Sequence, residues 1–171
     1  YANAEYDSLA IKYLKLAAKN AKESNYDILK SYILGNLLHY QLRDNKLNEA
    51  KSNLDESFEL CKKSESPRVC SHYYLRAGLY YDKLEEFDQA EKAYYNALEN
   101  VKKLNDIYDL MYTYQSVGKH FVLAKKPEQA IENFKMFENL YRDNQIPDIG
   151  VWAYEYWAKA EKMLGNYQKS Y

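Results

Sequence analysis

The stretch YLRAGLYYDKLEEFDQAEKAYYNAL, residues 74–98, decides how the chain is to be read. Tyr74, Ala77, Gly78 and Tyr81 follow one another at steps of three, one and three, which keeps them on one face of a helix. The polar break Lys83-Leu84-Glu85-Glu86 ends that pattern, and Ala90, Tyr94, Ala97 and Leu98 begin a second one. Two amphipathic helices joined by a short turn each need a neighbour to cover the apolar face.

Working outward, the same unit recurs. Ala10, Ala50, Ala90, Ala130 and Ser170 are small residues at steps of 40. Four residues after those anchors stand Leu14, Leu54, Tyr94 and Phe134, and twelve after them Lys22, Lys62, Lys102 and Arg142. Leu47, Phe87 and Tyr167 precede the anchor by three, with Pro127 in their place in one copy. The pattern predicts helices near 6–23, 28–43, 47–63, 68–83, 87–104, 108–124, 127–143 and 148–164, and a ninth beginning near Tyr167. Pro127 suits a first helical turn, where a missing N–H costs no intrahelical bond.

The residues resemble the tetratricopeptide repeat, an aromatic followed by Leu-Gly, Tyr, Ala and a second aromatic. Tyr74, Ala77, Gly78, Tyr81, Ala90, Tyr94 and Ala97 reproduce it, as do Tyr114, Val117, Gly118, Phe121, Ala130 and Phe134. Gly78 and Gly118 would let the paired helix approach closely, and Ala90 and Ala130 would do the same from the other side. The copy from Lys30 to Ser64 departs from the pattern, with Leu38 where Gly is expected and Gln41 where Tyr is expected. The period of 40 exceeds the family's usual 34, so the second helix should run longer. On period alone HEAT and armadillo repeats are the runner-up. The resemblance implies an all-α superhelix, a solenoid of antiparallel helix pairs, as in the repeat regions of bacterial signalling regulators. The repeats fall at about 1–26 (second helix only), 27–66, 67–106, 107–146 and 147–171 (partial), and both cut ends suggest a fragment of a longer chain.

Composition agrees with this class. Twenty Tyr stand beside only 5 Gly and 3 Pro, a poor supply of the residues that punctuate β-hairpins. Twenty-four Lys and Arg against 25 Asp and Glu leave a net charge of -1, so no global attraction to nucleic acid or an anionic membrane is expected. The row Lys22, Lys62, Lys102 and Arg142 falls near helix C-termini, where cations offset the helix dipole, rather than forming a phosphate track. No stretch approaches the roughly 18 apolar residues of a membrane helix, so no membrane insertion is expected.

Residues capable of chemistry are scattered. His39, His72 and His120 occupy three different places in the repeat, exposed or groove-facing, and no two lie one turn apart as a metal-binding helix requires. Gly35, Gly78, Gly118, Gly150 and Gly165 are isolated, so no phosphate loop is present. No catalytic, cofactor-binding or metal residues are assigned, and no enzyme activity is expected. Cys61 and Cys70 would face each other across the turn at Ser64–Pro67, which permits a disulfide. Reduced packing residues are the preferred reading, and the compartment stays open between cytoplasm and periplasm; a bridge would point to the periplasm or outside.

One further stripe defines a candidate surface. If Ala77, Gly78 and Tyr81 face the partner helix, His72, Leu75, Leu79 and Asp82 share another face, and the equivalent positions form a wall. By the resemblance this wall is a concave groove for a protein or peptide, with Tyr32, His39, His72, Leu75, Leu79, Tyr112, Gln115, Lys119, Trp152, Glu155 and Lys159 as its contact residues. The competing reading is that the aromatics pack between adjacent repeats. The function expected is a protein- or peptide-binding module of a larger regulatory or scaffold protein, with a ligand-responsive sensor controlling an attached kinase, cyclase or DNA-binding domain as the alternative.

Overall fold

The computed structural model describes residues 2–23, 26–144 and 151–165. It contains α1 (Ala2–Glu23), α2 (Asp27–Arg43), α3 (Leu47–Ser64), α4 (Pro67–Lys83), α5 (Phe87–Val101), α6 (Ile107–Leu123), α7 (Pro127–Asn144) and α8 (Val151–Met163). These match the sequence expectation within a few residues. The largest differences are α1, which begins at Ala2 rather than near 6, and α5, which ends at Val101 rather than near 104. The expected ninth helix near Tyr167 lies outside the described residues.

Each helix packs on the next, and α2, α4, α6 and α8 also pack on one another, whereas α1, α3, α5 and α7 share no such contacts among themselves. The layer whose members touch directly is the shorter arc of a curved stack. The even-numbered helices are therefore the inner, concave layer of an α-α superhelix, and the odd-numbered ones its outer layer.

The 40-residue anchors are structural equivalents. Ala50, Ala90 and Ala130 are all fully buried where an outer helix meets its inner partner. A Cβ added at Gly78 would stand 2.7 Å from the ring of Tyr94, and one at Gly118 would stand 2.6 Å from the ring of Phe134. In each hairpin a glycine lets an aromatic ring from the outer helix lie directly on the inner helix backbone. The α2–α3 hairpin replaces both members, with Leu38 and Leu54 buried at the same two positions. A larger inner residue is matched by a smaller outer one, so the helix spacing survives.

The inner-to-outer turns repeat as well. Asn45, Glu85, Lys125 and Gly165, spaced by 40, all have positive φ, between 59° and 78°. In the first three, the N–H one residue later bonds the carbonyl of Gln41, Tyr81 or Phe121 at 2.8–3.0 Å, closing the helix end with a left-handed residue.

Cys61, at the end of α3, and Cys70, in α4, are joined as a disulfide, with Cα atoms 4.7 Å apart. The preferred sequence reading of two reduced packing residues is thereby corrected. The turn between them reverses the chain at Glu65, which is left-handed with φ 50°, and brings the last turn of one helix against the first turn of the next.

Candidate functional site: the concave wall

Among the described residues, two depressions are seen on the inner layer. The first, about 380 Å³, lies between α2, α4 and α6 and is lined by Tyr32, Asn36, His72, Arg76, Tyr108, Asp109 and Tyr112, among others. The second, about 520 Å³, is lined by His39, Leu42, Leu79, Asp82, Lys119 and Tyr156, among others.

At the N-terminal ends of the inner helices, charges are tied together. Arg68 donates at 2.8 Å to both Asp106 and Asp109. Asp106 also caps α6 by accepting from the Asp109 N–H at 3.1 Å. That backbone bond, followed by the Arg68 bond, holds the Asp106 carboxyl below the usual range, while the bond to Asp106 raises Arg68 further. Tyr32 donates to Asp109 at 3.5 Å; burial first, then the Asp109 charge, lifts its phenol above the ordinary value. His72 bridges from this cluster to α2, with Nδ1 2.8 Å from Ser31 Oγ and Nε2 3.5 Å from Asp109.

Ser31, His72 and Asp109 thus stand in the order of a hydrolytic triad, but the protons are not placed for one. The Ser31 hydroxyl donates to the Ile28 carbonyl at 2.7 Å and is buried. Its oxygen therefore accepts a hydrogen bond from His72 Nδ1–H and has no proton to offer the imidazole, and Asp109 is engaged by Arg68. The cluster fastens the ends of α2, α4 and α6 together.

In the middle of the wall, Arg76 lies across α2 at Gly35, where an added Cβ would stand 2.6 Å from its Nε. Its guanidinium carbon sits 5.8 Å from the centre of the Tyr112 ring, and Nη1 donates to the Tyr112 hydroxyl at 3.5 Å. Nε is buried with no hydrogen-bond partner. Further along, the ammonium groups of Lys119 and Lys159 lie 5.3 and 4.3 Å from the centre of the one Tyr156 ring. Desolvation first, then the charges of Arg76, Arg43 and Lys119, holds the His39 imidazole below its usual pKa.

The structure brings most of the sequence-derived wall together, with clear exceptions. Tyr32, His72, Leu75 and Tyr112 line the first depression; His39, Leu79 and Lys119 line the second. Trp152, Glu155 and Lys159 share α8, with the Trp152 ring 6.3 Å from that of Tyr156. Gln115 is not on the accessible wall: it is fully buried and neither side-chain amide atom is hydrogen bonded. Its equivalents Gly35 and Leu75 are buried too, because this row is the seam where one inner helix meets the next. Glu155, in the same row on α8, is exposed, and no described helix follows it. His120 is also fully buried rather than groove-facing, its Nδ1 2.6 Å from Asp82, which accepts from the Tyr94 hydroxyl at 2.8 Å as well. The tyrosines divide accordingly: Tyr80, Tyr94 and Tyr114 are core, whereas Tyr32, Tyr108, Tyr112 and Tyr156 line the depressions.

Sequence reasoning passed over Arg76, Asn36, Tyr108 and Asp109. A signal existed for Arg76: it lies one turn beyond His72 on the same face, opposite a glycine inside α2. Among the described residues no helix is long and apolar enough to cross a membrane.

No protein-family model matches this chain, nor does any curated protein sequence. Solved structures do. One is a Signal Transduction ATPase with Numerous Domains (STAND) protein with a tetratricopeptide repeat sensor, from Pyrococcus horikoshii, at 20% identity and TM-score 0.70, covering 84% of this chain. This chain spans only 22% of that protein. Another is BtubC from P. vanneervenii, at 13% identity and TM-score 0.61, with 96% of this chain and 86% of that one covered. At such identities the likeness speaks to the fold, which is the tetratricopeptide-like solenoid.

Proposed function

We propose that this chain is a protein- or peptide-binding module of a larger regulatory or scaffold protein, that the concave wall is its binding surface, and that it has no chemistry of its own. The observation that carries the reading is the continuous inner wall of α2, α4, α6 and α8, where accessible tyrosines and cations surround two open depressions. Aromatic rings supply apolar area at low entropic cost, and the polar groups between them can fix a segment's register. Selection of a random twelve-residue display library on the immobilised chain tests it. Enriched peptides should lose about 30-fold in affinity, roughly 2 kcal/mol, on Tyr112→Ala or Trp152→Ala, with the melting temperature little changed. Lys102→Ala, at the outer end of α5, should leave affinity unaltered. No enrichment, or binding that depends on Lys102 and neither ring, overturns the reading.

A sensor role is the second reading, favoured by the likeness to a protein described as carrying a tetratricopeptide repeat sensor. A segment bridging both depressions would contact α2, α4, α6 and α8 together, and so change the superhelical pitch seen by an attached output domain. The Cys61–Cys70 disulfide supports an oxidising compartment, periplasmic or extracellular, for either reading. Mass analysis of the native protein without reductant tests that point, and free thiols would leave cytoplasm and periplasm equally open.

A further inference from the structure

The first turns of α2, α4 and α6 meet in a charge cluster that is one cation short. Arg68 lies 2.8 Å from Asp106 and 2.8 Å from Asp109, so two carboxylates share one guanidinium. His72, only 8% exposed, completes the group. Its Nδ1 is 2.8 Å from Ser31 Oγ on α2, its Nε2 is 3.5 Å from Asp109 Oδ2 on α6, and its ring centre is 4.1 Å from that of Tyr32. Both polar neighbours call for a donor, because the Ser31 hydroxyl already donates to the Ile28 carbonyl at 2.7 Å and Asp109 is a carboxylate. A neutral imidazole carries one N–H. With Nδ1–H turned to Ser31, it sets a bare and buried Nε2 against Asp109. An imidazolium carries two and serves both neighbours.

We infer that His72 is a pH-responsive latch, whose protonation ties α4 to α2 and α6 at once and tightens the rim of the first depression, where Tyr32, His72 and Asp109 stand together. The groups around the ring set the sign. α6 brings Asp106 and Asp109, with the phenols of Tyr108 and Tyr112; α2 brings Tyr32, whose hydroxyl donates to the other Asp109 oxygen, while Lys30 is paired with Glu56 of α3. On α4 itself, Arg68 is held by the two acids and Arg76 lies against Tyr112. Among the described residues no ion pair or hydrogen bond from α3 or α5 reaches His72. A charged ring therefore brings Arg68, Asp106 and Asp109 to balance and adds a cation over the Tyr32 ring. These contacts stabilise the joint in acid and are lost as the pH rises through the range, about 5 to 8, in which imidazoles titrate. The other two histidines lack this arrangement. His120 Nδ1 reaches Asp82 at 2.6 Å, but its Nε2 is shut in beside Phe87, Tyr94 and Phe121 with no acceptor, so a second proton gains no partner. At His39, burial and then the charges of Arg76, Arg43 and Lys119 disfavour the charged form, which opposes any gain in acid.

The test is urea unfolding at pH about 8 and about 5.5, joined to hydrogen exchange of the wild-type chain at the same two values, corrected for the intrinsic exchange rate. Lowering the pH should favour folding of the wild type over that of His72→Gln by about fivefold in the equilibrium constant. Asp109→Asn removes the carboxylate that the second proton would meet, so it should lose this pH-dependent gain in addition to its own cost in stability. His39→Gln should keep the gain or enlarge it. In the wild type, acid should raise protection at residues 31–36, 72–76 and 109–113 and leave α7 level, a measurement that stands even where a variant fails to fold. The same pH dependence in wild type and His72→Gln, loss of the gain in His39→Gln, or protection that shifts evenly along the whole stack each overturns the inference.

Discussion

The hairpins α4–α5 and α6–α7 and the hairpin α2–α3 hold the same spacing by different means. In the first two, an aromatic ring packs directly against a glycine, Tyr94 on Gly78 and Phe134 on Gly118. In the third, Leu38 meets Leu54, and polar side chains join in: Asn53 donates to Gln41 at 2.7 Å, and Gln41 donates to Glu49 at 3.4 Å. Gln41 is buried at the position where Tyr81 stands in the next repeat. What a repeat must conserve is therefore the summed volume across the helix contact, and the identity of either partner is secondary.

That comparison can be broken most forcefully at the ring. Phe134→Ala should cost about 3–5 kcal/mol, since it empties a fully buried contact that the glycine opposite cannot refill. Gly78→Leu should cost about 1–3 kcal/mol or somewhat more, because its side chain would enter the Tyr94 ring. The double change Gly78→Leu with Tyr94→Leu copies the α2–α3 solution and should recover at least half of that loss. Chemical denaturation of the four proteins checks this; a double variant as unstable as the sum of its singles would show that the contact is not governed by volume.

The α2–α3 repeat also carries a restraint that the described residues of the others lack, the Cys61–Cys70 disulfide to α4. Its loop is short, so on the chain-entropy account reduction should cost about 2.5 kcal/mol. Hydrogen exchange should show the loosening concentrated at the end of α3 and the start of α4, where Leu60, Cys61 and Val69 form a small separate cluster. Loss spread evenly to α6 and α7 would mean that the bridge supports the whole stack rather than one junction.

What the sequence disclosed follows the same divide. Periodic, repeated features were legible: helix positions, the buried alanines, and the small residues that seat the rings. They are legible because each copy restates the same geometric demand at a step of 40. The seam residue Gln115 was misplaced because a helical stripe gives direction around one helix but not how closely the next inner helix covers it. Arg76 was missed because its role depends on a glycine 41 positions away. The cysteines were underread because spacing permits a bridge without deciding it.

The smallest test concerns the turns, where the copies are most alike in backbone and least alike in sequence. Asn45, Glu85, Lys125 and Gly165 share one left-handed conformation, yet Gly and Asn alone among them tolerate it readily. Lys125, with φ 59°, holds a conformation that disfavours its Cβ. Its side chain is exposed and no ion pair or hydrogen bond of it is seen, so glycine there removes backbone strain without removing a contact. Lys125→Gly should therefore stabilise the protein by about 0.5–1 kcal/mol, the relief of strain exceeding the added freedom of the unfolded chain. Asn45→Gly should gain less, because Asn already accepts the left-handed region, and Gly165→Ala should lose stability even though a Cβ there would meet nothing within 4 Å. A gain at Asn45 as large as at Lys125 would show that chain entropy, rather than Cβ strain, sets the stability of these turns.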